Sequence, residues 1–122
     1  GGEPAPRGSG DWRAADGAAL APAIVAEVRT AGGPTAIAAA NDQMALGLIA
    51  GLREAGVDVP GDVSIVGFDD NPDAAYYRPA LTTVGLDLRG EARRAVAEVL
   101  GEAASVPAPP RLVVRASTAP PR

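Results

Sequence analysis

From Thr35 to Asp70 the chain reads TAIAAANDQMALGLIAGLREAGVDVPGDVSIVGFDD, two short apolar runs with one amphipathic helix between them. Strands that run the same way need a crossover of a dozen or more residues, and a single helix supplies it. Such crossovers are right-handed, so the carboxyl ends of both strands emerge on one side of the sheet. This stretch therefore calls for an α/β fold built on a parallel sheet. A polar residue follows each run, Asn41 after the first and Asp69 after the second. Both are expected to point into one crevice, the place where open α/β sheets bind ligands. An amide donates and accepts while a carboxylate only accepts, which suits a neutral, hydroxyl-rich ligand better than an anion.

Composition removes most competing chemistries. The chain has no cysteine, no histidine and no lysine; all eleven basic residues are arginine. Thiol nucleophiles, structural zinc sites, histidine acid/base pairs, Schiff-base lysines and the P-loop lysine are excluded together. No metal and no cofactor is expected, and an enzyme is hard to build. The arginines are scattered and the net charge is −4, so no nucleic-acid footprint is present. No apolar run approaches the ~18 residues of a membrane span, and the first residues carry no signal-peptide pattern. A soluble chain is expected, and the lack of cysteine is compatible with the cytoplasm. Its 122 residues suffice for one domain, and with 47% hydrophobic but only 3% aromatic residues the core must be made of Ala, Val, Leu and Ile.

Residues 1–10, GGEPAPRGSG, have the composition of a linker or loop. Trp12 is the sole tryptophan, an anchor or a ligand contact. From Asp16 the sequence turns helical, with Leu20, Ile24, Val28 and Ala31 on one stripe; Pro22 either starts this helix or kinks it. Ala36 to Ala40 is expected as a buried parallel strand despite weak propensity. Asn41 also suits the N-cap of the following helix, and Asp42 its dipole. In that helix, Asp42 to Ala55, the core stripe is Ala45, Leu48, Ile49, Leu52 and Ala55. Leu46 and Ala50 fall off it beside Gly47, a second apolar face that packs under a loop or against another subunit. Val63 to Phe68 reads as a strand buried on both faces, where Gly67 marks a close backbone approach. Of Asp69 and Asp70, one should face the crevice and the other bond the following turn. Tyr76 and Tyr77 concentrate interface-prone surface in PDAAYYRP. Leu81 to Leu86 is expected as a strand. Asp87 then caps a helix over 88–103 with the apolar stripe Leu88, Ala92, Ala95, Val96, Val99, Leu100 and Ala103. RLVVRAS, 111–117, is expected as a last strand, followed by a frayed tail.

Taken together, GDW, AANDQMALG, LREAG, SIVGFDD, LTTV and LVVRAST resemble the C-terminal part of the LacI/GalR family of bacterial transcription regulators. The resemblance runs from about Gly10 to Pro121. It implies an incomplete three-layer αβα lobe of a type I periplasmic-binding-protein-like fold over residues 11–122, with the helix 88–103 belonging to the other, missing lobe and LVVRAST returning to this one. It also implies an effector pocket to which Trp12, Asn41 and Asp69 contribute, and a homodimer interface involving Leu46, Ala50 and Tyr77. The implied protein is a cytoplasmic sensor of a sugar or similar small polar molecule. It would reach operator DNA only through a helix-turn-helix outside these residues, and it would not touch a membrane. Leu86-Asp87-Leu88 stands where the family often has an aromatic contact, which leaves the identity of the effector open. The alternatives are the solute-binding protein of a sugar ABC transporter, which shares the lobes, and a metal-dependent hydrolase built on Asp69 and Asp70.

Overall fold

The computed structural model describes residues 10–121. In chain order the elements are α1 (Ala14–Val28), β1 (Ala36–Ala38), α2 (Asp42–Glu54), β2 (Ser64–Asp69), a 3-10 turn (Pro72–Tyr76), β3 (Thr82–Gly85), α3 (Leu88–Leu100) and β4 (Arg111–Val113). The sheet has the order β1-β2-β3-β4. β1 and β3 both pair parallel with β2, and β4 closes the far edge antiparallel to β3. The expected linker over residues 1–10 lies, but for Gly10, outside the described residues.

The helix α2 makes the crossover from β1 to β2 and sets Ala45, Leu48, Ile49 and Leu52 against Ile65 and Leu81 of the sheet side, all buried. Asn41 caps it as expected, accepting the Met44 N–H at 2.8 Å. Ala55 is the C-cap rather than part of the stripe, and it is exposed.

The helix α1 corrects two expectations. It starts at Ala14, two residues earlier than Asp16, because the Asp16 carboxylate reaches back to accept the Arg13 and Asp11 N–H groups. Its most buried line is Gly17, Ala21, Ile24 and Val25; Ile24 is buried as expected, while Leu20 and Val28 sit half-buried against the same core. That line follows from a close helix crossing: a Cβ on Gly17 would strike the Met44 carbonyl, and one on Gly47 would strike the Ala14 carbonyl. Large side chains must therefore swing off the line of contact. Pro22 sits inside the helix without ending it. It is exposed, and having no N–H it gives no helical hydrogen bond to the carbonyl four residues back.

Beside the second face of α2, Gly47 is buried against α1. Leu46 is half-buried against the core and Ala50 is exposed.

β1, β3 and β4 are shorter than expected, β2 is shifted by one residue, and the sheet is less covered. Ile37, Ile65, Gly67 and Thr83 face α2, while the alternate positions Ala36, Ala38 and Phe68 are exposed on the opposite face and Val66 is half-buried there. Neither β1 nor β2 is covered on both sides, since the described residues supply one helical layer against the sheet. The tail is held at Thr118 and Ala119 rather than frayed from its start. Ser117, fully buried, wedges between the starts of β2 and β3: its carbonyl accepts the Ile65 N–H, and its hydroxyl donates to the Ile65 carbonyl and accepts the Thr82 N–H. Thr118 and Ala119 bond Thr82 and Ser64. Strand pairing accordingly stops at Val113, short of Ser117.

Beyond β3, the Asp87 carboxylate caps α3 at the Gly90 N–H and also accepts the Ala108 N–H. The helix ends at Leu100 with Gly101 left-handed, three residues before Ala103. Only Gly90 of α3 is buried; Leu88, Val96, Val99 and Leu100 stand in solvent. No helix among the described residues is long and apolar enough to cross a membrane.

Candidate functional site

Parallel pairing of Ala38 with Val66 brings the carboxyl ends of β1 and β2 side by side. A crevice of about 460 Å³ opens there, lined by Asp42, Gln43, Asp69, Asp70, Asn71, Pro72 and Leu88. Its walls come from the first turn of α2, the turn after β2 and the start of α3. Asp69 is therefore where the sequence places it. Trp12 and Asn41 meet each other instead, the Asn41 amide donating to the Trp12 carbonyl at 3.0 Å, and neither is among the lining residues. The Asn41 side chain is spent on the Trp12 loop and on its own helix. The Trp12 indole is 62% exposed beside this junction. Tyr77, named above for an interface, is buried in the core of the chain, and Tyr76 is the exposed one.

Asp69 and Asp70 both have positive φ, 107° and 53°. The backbone reverses sharply at the end of β2, and the two carboxylates diverge. Asp70 does not bond the following turn as expected; it pairs with Arg115 at 2.7 Å, a cation from the far end of the chain that also donates to the Leu81 carbonyl. The following turn is served by Asn71, whose side chain accepts the Asp73 N–H.

Burial and then the charge of Asp42 push the Asp69 carboxyl above the usual aspartate range. Asp42 itself is 1% exposed. It takes a hydrogen bond from the Thr83 hydroxyl at 2.6 Å and one from the Asn71 N–H at 2.7 Å. An aspartate straight after an N-cap reads in sequence as a helix-dipole residue on the surface, so this role was hidden. The signal that pointed to it was Gly67, where a Cβ would collide with the Asp42 carboxylate. Gln43, the lining residue with an exposed amide, had no sequence signal at all.

Three carboxylates and no basic side chain line the crevice. The Arg115 guanidinium, which reaches Asp70, is taken up by that carboxylate and by the Leu81 carbonyl. Such walls accept hydrogen bonds from hydroxyls and repel anions.

Residues 3–119 match the family model of the periplasmic binding protein-like domain. This chain belongs to that family. It is 48% identical over 92 residues to the HTH-type transcriptional regulator MalR of Streptomyces coelicolor, covering 70% of this chain and 27% of that protein. To the lactose operon repressor of Escherichia coli it is 40% identical over 87 residues, covering 71% of this chain and 23% of that one. The chain thus spans about a quarter of the length of these relatives. Among solved structures it is similar to a LacI family transcriptional regulator from Lactobacillus casei with bound sucrose, with a TM-score of 0.74, 30% identity, and coverage of 87% of this chain and 41% of the other. It is also similar to a dimeric Lac repressor with an 11-residue C-terminal deletion, with a TM-score of 0.75, 37% identity, and coverage of 93% and 43%. The fold is the mixed α/β, mostly parallel architecture of these regulators, in part, and the resemblance carried by NDQMALG and SIVGFDD extends along most of the chain. The relatives named here are transcriptional regulators, not enzymes or transporters.

Proposed function

We propose that this chain is the effector-sensing portion of a LacI-type DNA-binding regulator, and that its ligand is a neutral, hydroxyl-rich small molecule, a sugar first of all. The observation that carries the reading is the crevice at the ends of β1 and β2, in which the Asp69 carboxylate and the Gln43 amide face a space walled by acceptors and lacking a basic group. A sugar hydroxyl donates to a carboxylate and both donates to and accepts from an amide. A phosphorylated ligand would meet three carboxylates, of which only Asp70 is paired with a cation, and no free basic group lines the crevice. Trp12 supplies an exposed aromatic face near the same end of the sheet, and Asn41 holds the loop that carries it. That the L. casei regulator has sucrose bound favours the same ligand class.

In the intact protein the apolar stripe of α3 belongs to a second lobe, and ligand binding shifts the balance between two lobe arrangements. The coupling runs through a homodimer, with the α2 segment around Leu46 and Ala50 and the turn carrying Tyr77 near the contact, to operator DNA held by a helix-turn-helix. Such a protein works in the cytoplasm and performs no catalysis. A solute-binding protein of a transporter would share the crevice, but the relatives favour the regulator.

The test is Asp69→Ala in the intact protein, read by gel shift on the operator and by its release with added sugar. Operator binding should stay and the response to sugar should vanish. An unchanged response would remove Asp69 from the site.

A further inference from the structure

Left-handed backbone at two successive residues that are not glycine is costly, and it persists only when the surroundings hold it. The turn Asp69–Asp70 is gripped from two sides. Arg115 takes the Asp70 carboxylate on one side. On the other, Asp42 accepts the N–H of Asn71, the next residue along, and is itself fixed by the Thr83 hydroxyl. Thr83 also sits within 3.4 Å of the Asp70 N–H. Three elements thereby meet on one buried carboxylate: the first turn of α2, the turn after β2, and β3. A helix dipole alone would not require Asp42 to be buried, and packing alone would be served by an apolar side chain. The lack of a side chain at Gly67 leaves room for this carboxylate in particular.

We infer that Asp42 is a positioning residue for the ligand site: it fixes the turn that aims the Asp69 carboxylate into the crevice. The inference rests on the reading of Asp69 as a ligand contact given above. The charge acting on Asp69 is that of Asp42 from α2; Asp70, the next residue along, turns to Arg115 from beyond β4. Burial raises the Asp69 carboxyl first and Asp42 raises it further; Asp42 acts in the same direction on the Tyr77 hydroxyl.

Two substitutions separate geometry from charge. In Asp42→Asn the amide can donate to the Thr83 oxygen while its carbonyl still accepts the Asn71 N–H, so the grip survives and the charge is gone. In Asp42→Ala both are gone. Each is made in the full-length protein and read three ways: hydrogen exchange of the Asn71 amide, NMR titration of the Asp69 carboxyl carbon, and calorimetry with sucrose and with lactose. Asp42→Asn should keep Asn71 protected and move the Asp69 midpoint to lower pH. Asp42→Ala should expose the Asn71 amide and weaken sugar binding, each by about tenfold or more, as expected for losing a hydrogen bond to a charged group. An Asn71 amide equally protected in wild type and Asp42→Ala, or an Asp69 midpoint unmoved in Asp42→Asn, would overturn the inference. If Asp42→Ala does not fold, the Asp42→Asn titration and Thr83→Val, which should loosen the same amide, decide it. Failure of the unaltered protein to bind either sugar would count against the ligand reading alone, because exchange and titration report on the positioning without a ligand.

Discussion

At the scale of single residues, the ligand role proposed for Asp69 and the stability of the chain ask for different side chains. Its φ of 107° lies where a Cβ is strained, and its carboxylate is partly desolvated beside another. Glycine would relieve both. Asp69→Gly should raise stability by about 1 kcal/mol, the low end of the cost of such strained backbone, while abolishing the response to sugar. Chemical denaturation and sugar titration of the same variant check the pair; a loss of stability would mean that the carboxylate, not the backbone, dominates at this position. The sign of the pH dependence agrees. Because the folded carboxyl titrates higher than the unfolded one, its contribution favours folding in acid and is lost as pH rises through the raised value. The place of Asp69 after a buried strand was legible, since it needs only strand direction and crossover hand. The tie of Asn41 to Trp12 and the clasp of Asp42 on Asn71 were not, because each joins residues 29 apart in a pattern that local spacing does not encode.

At the scale of elements, helix existence was legible from 3.6-residue periodicity, but the face that each helix buries was decided by small residues. Hydropathy gave α1 a stripe through Leu20, Ile24 and Val28; of these only Ile24 is fully buried, because the crossing with α2 brings Gly17 and Ala21 to the contact, where small residues let the two backbones meet. In an exposed helix Gly→Ala gains roughly 0.5–1 kcal/mol from reduced backbone entropy. At Gly47 the added methyl would be driven into the Ala14 carbonyl of a neighbouring helix, and backbone cannot rotate out of the way. Forcing the helices apart should outweigh the propensity gain. Gly47→Ala is expected to lose about 1–3 kcal/mol in urea or guanidinium denaturation, whereas Ala50→Gly, on the exposed face, should lose only the propensity difference. Equal effects at the two positions would mean that α1 and α2 do not pack through Gly47. The tail was misread for a related reason. Polar and proline-rich residues imply fraying, yet one serine hydroxyl placed between two diverging strands satisfies two buried backbone groups and anchors it.

At the scale of the whole molecule, α3 stands apart. A helix of 13 residues is marginal in water without a packed face, and here only Gly90 is buried while Val99 is 86% exposed. What fixes it is its first turn, where the Asp87 carboxylate holds the N–H groups of Gly90 and Ala108. Those bonds draw the Asp87 carboxyl below the usual aspartate range. With a folded value below the unfolded one, the stabilisation is complete above the ordinary aspartate value and disappears as pH falls through the lowered one. In the 122-residue chain, amide exchange in α3 should therefore be much faster than in α2 at neutral pH after correction for intrinsic rates, and the corrected protection should drop further towards pH 3, where α2 keeps its own. Asp87→Ala should produce the acid behaviour at neutral pH. On the proposed function the stripe of Leu88, Val96 and Leu100 would lie against a second lobe in the intact protein, so exchange in α3 should slow there towards that of α2, and ligand-driven lobe closure should slow it again. Protection of α3 equal to that of α2 in the isolated chain would show that its apolar stripe already has a partner here, and would remove the reason to assign it to another lobe.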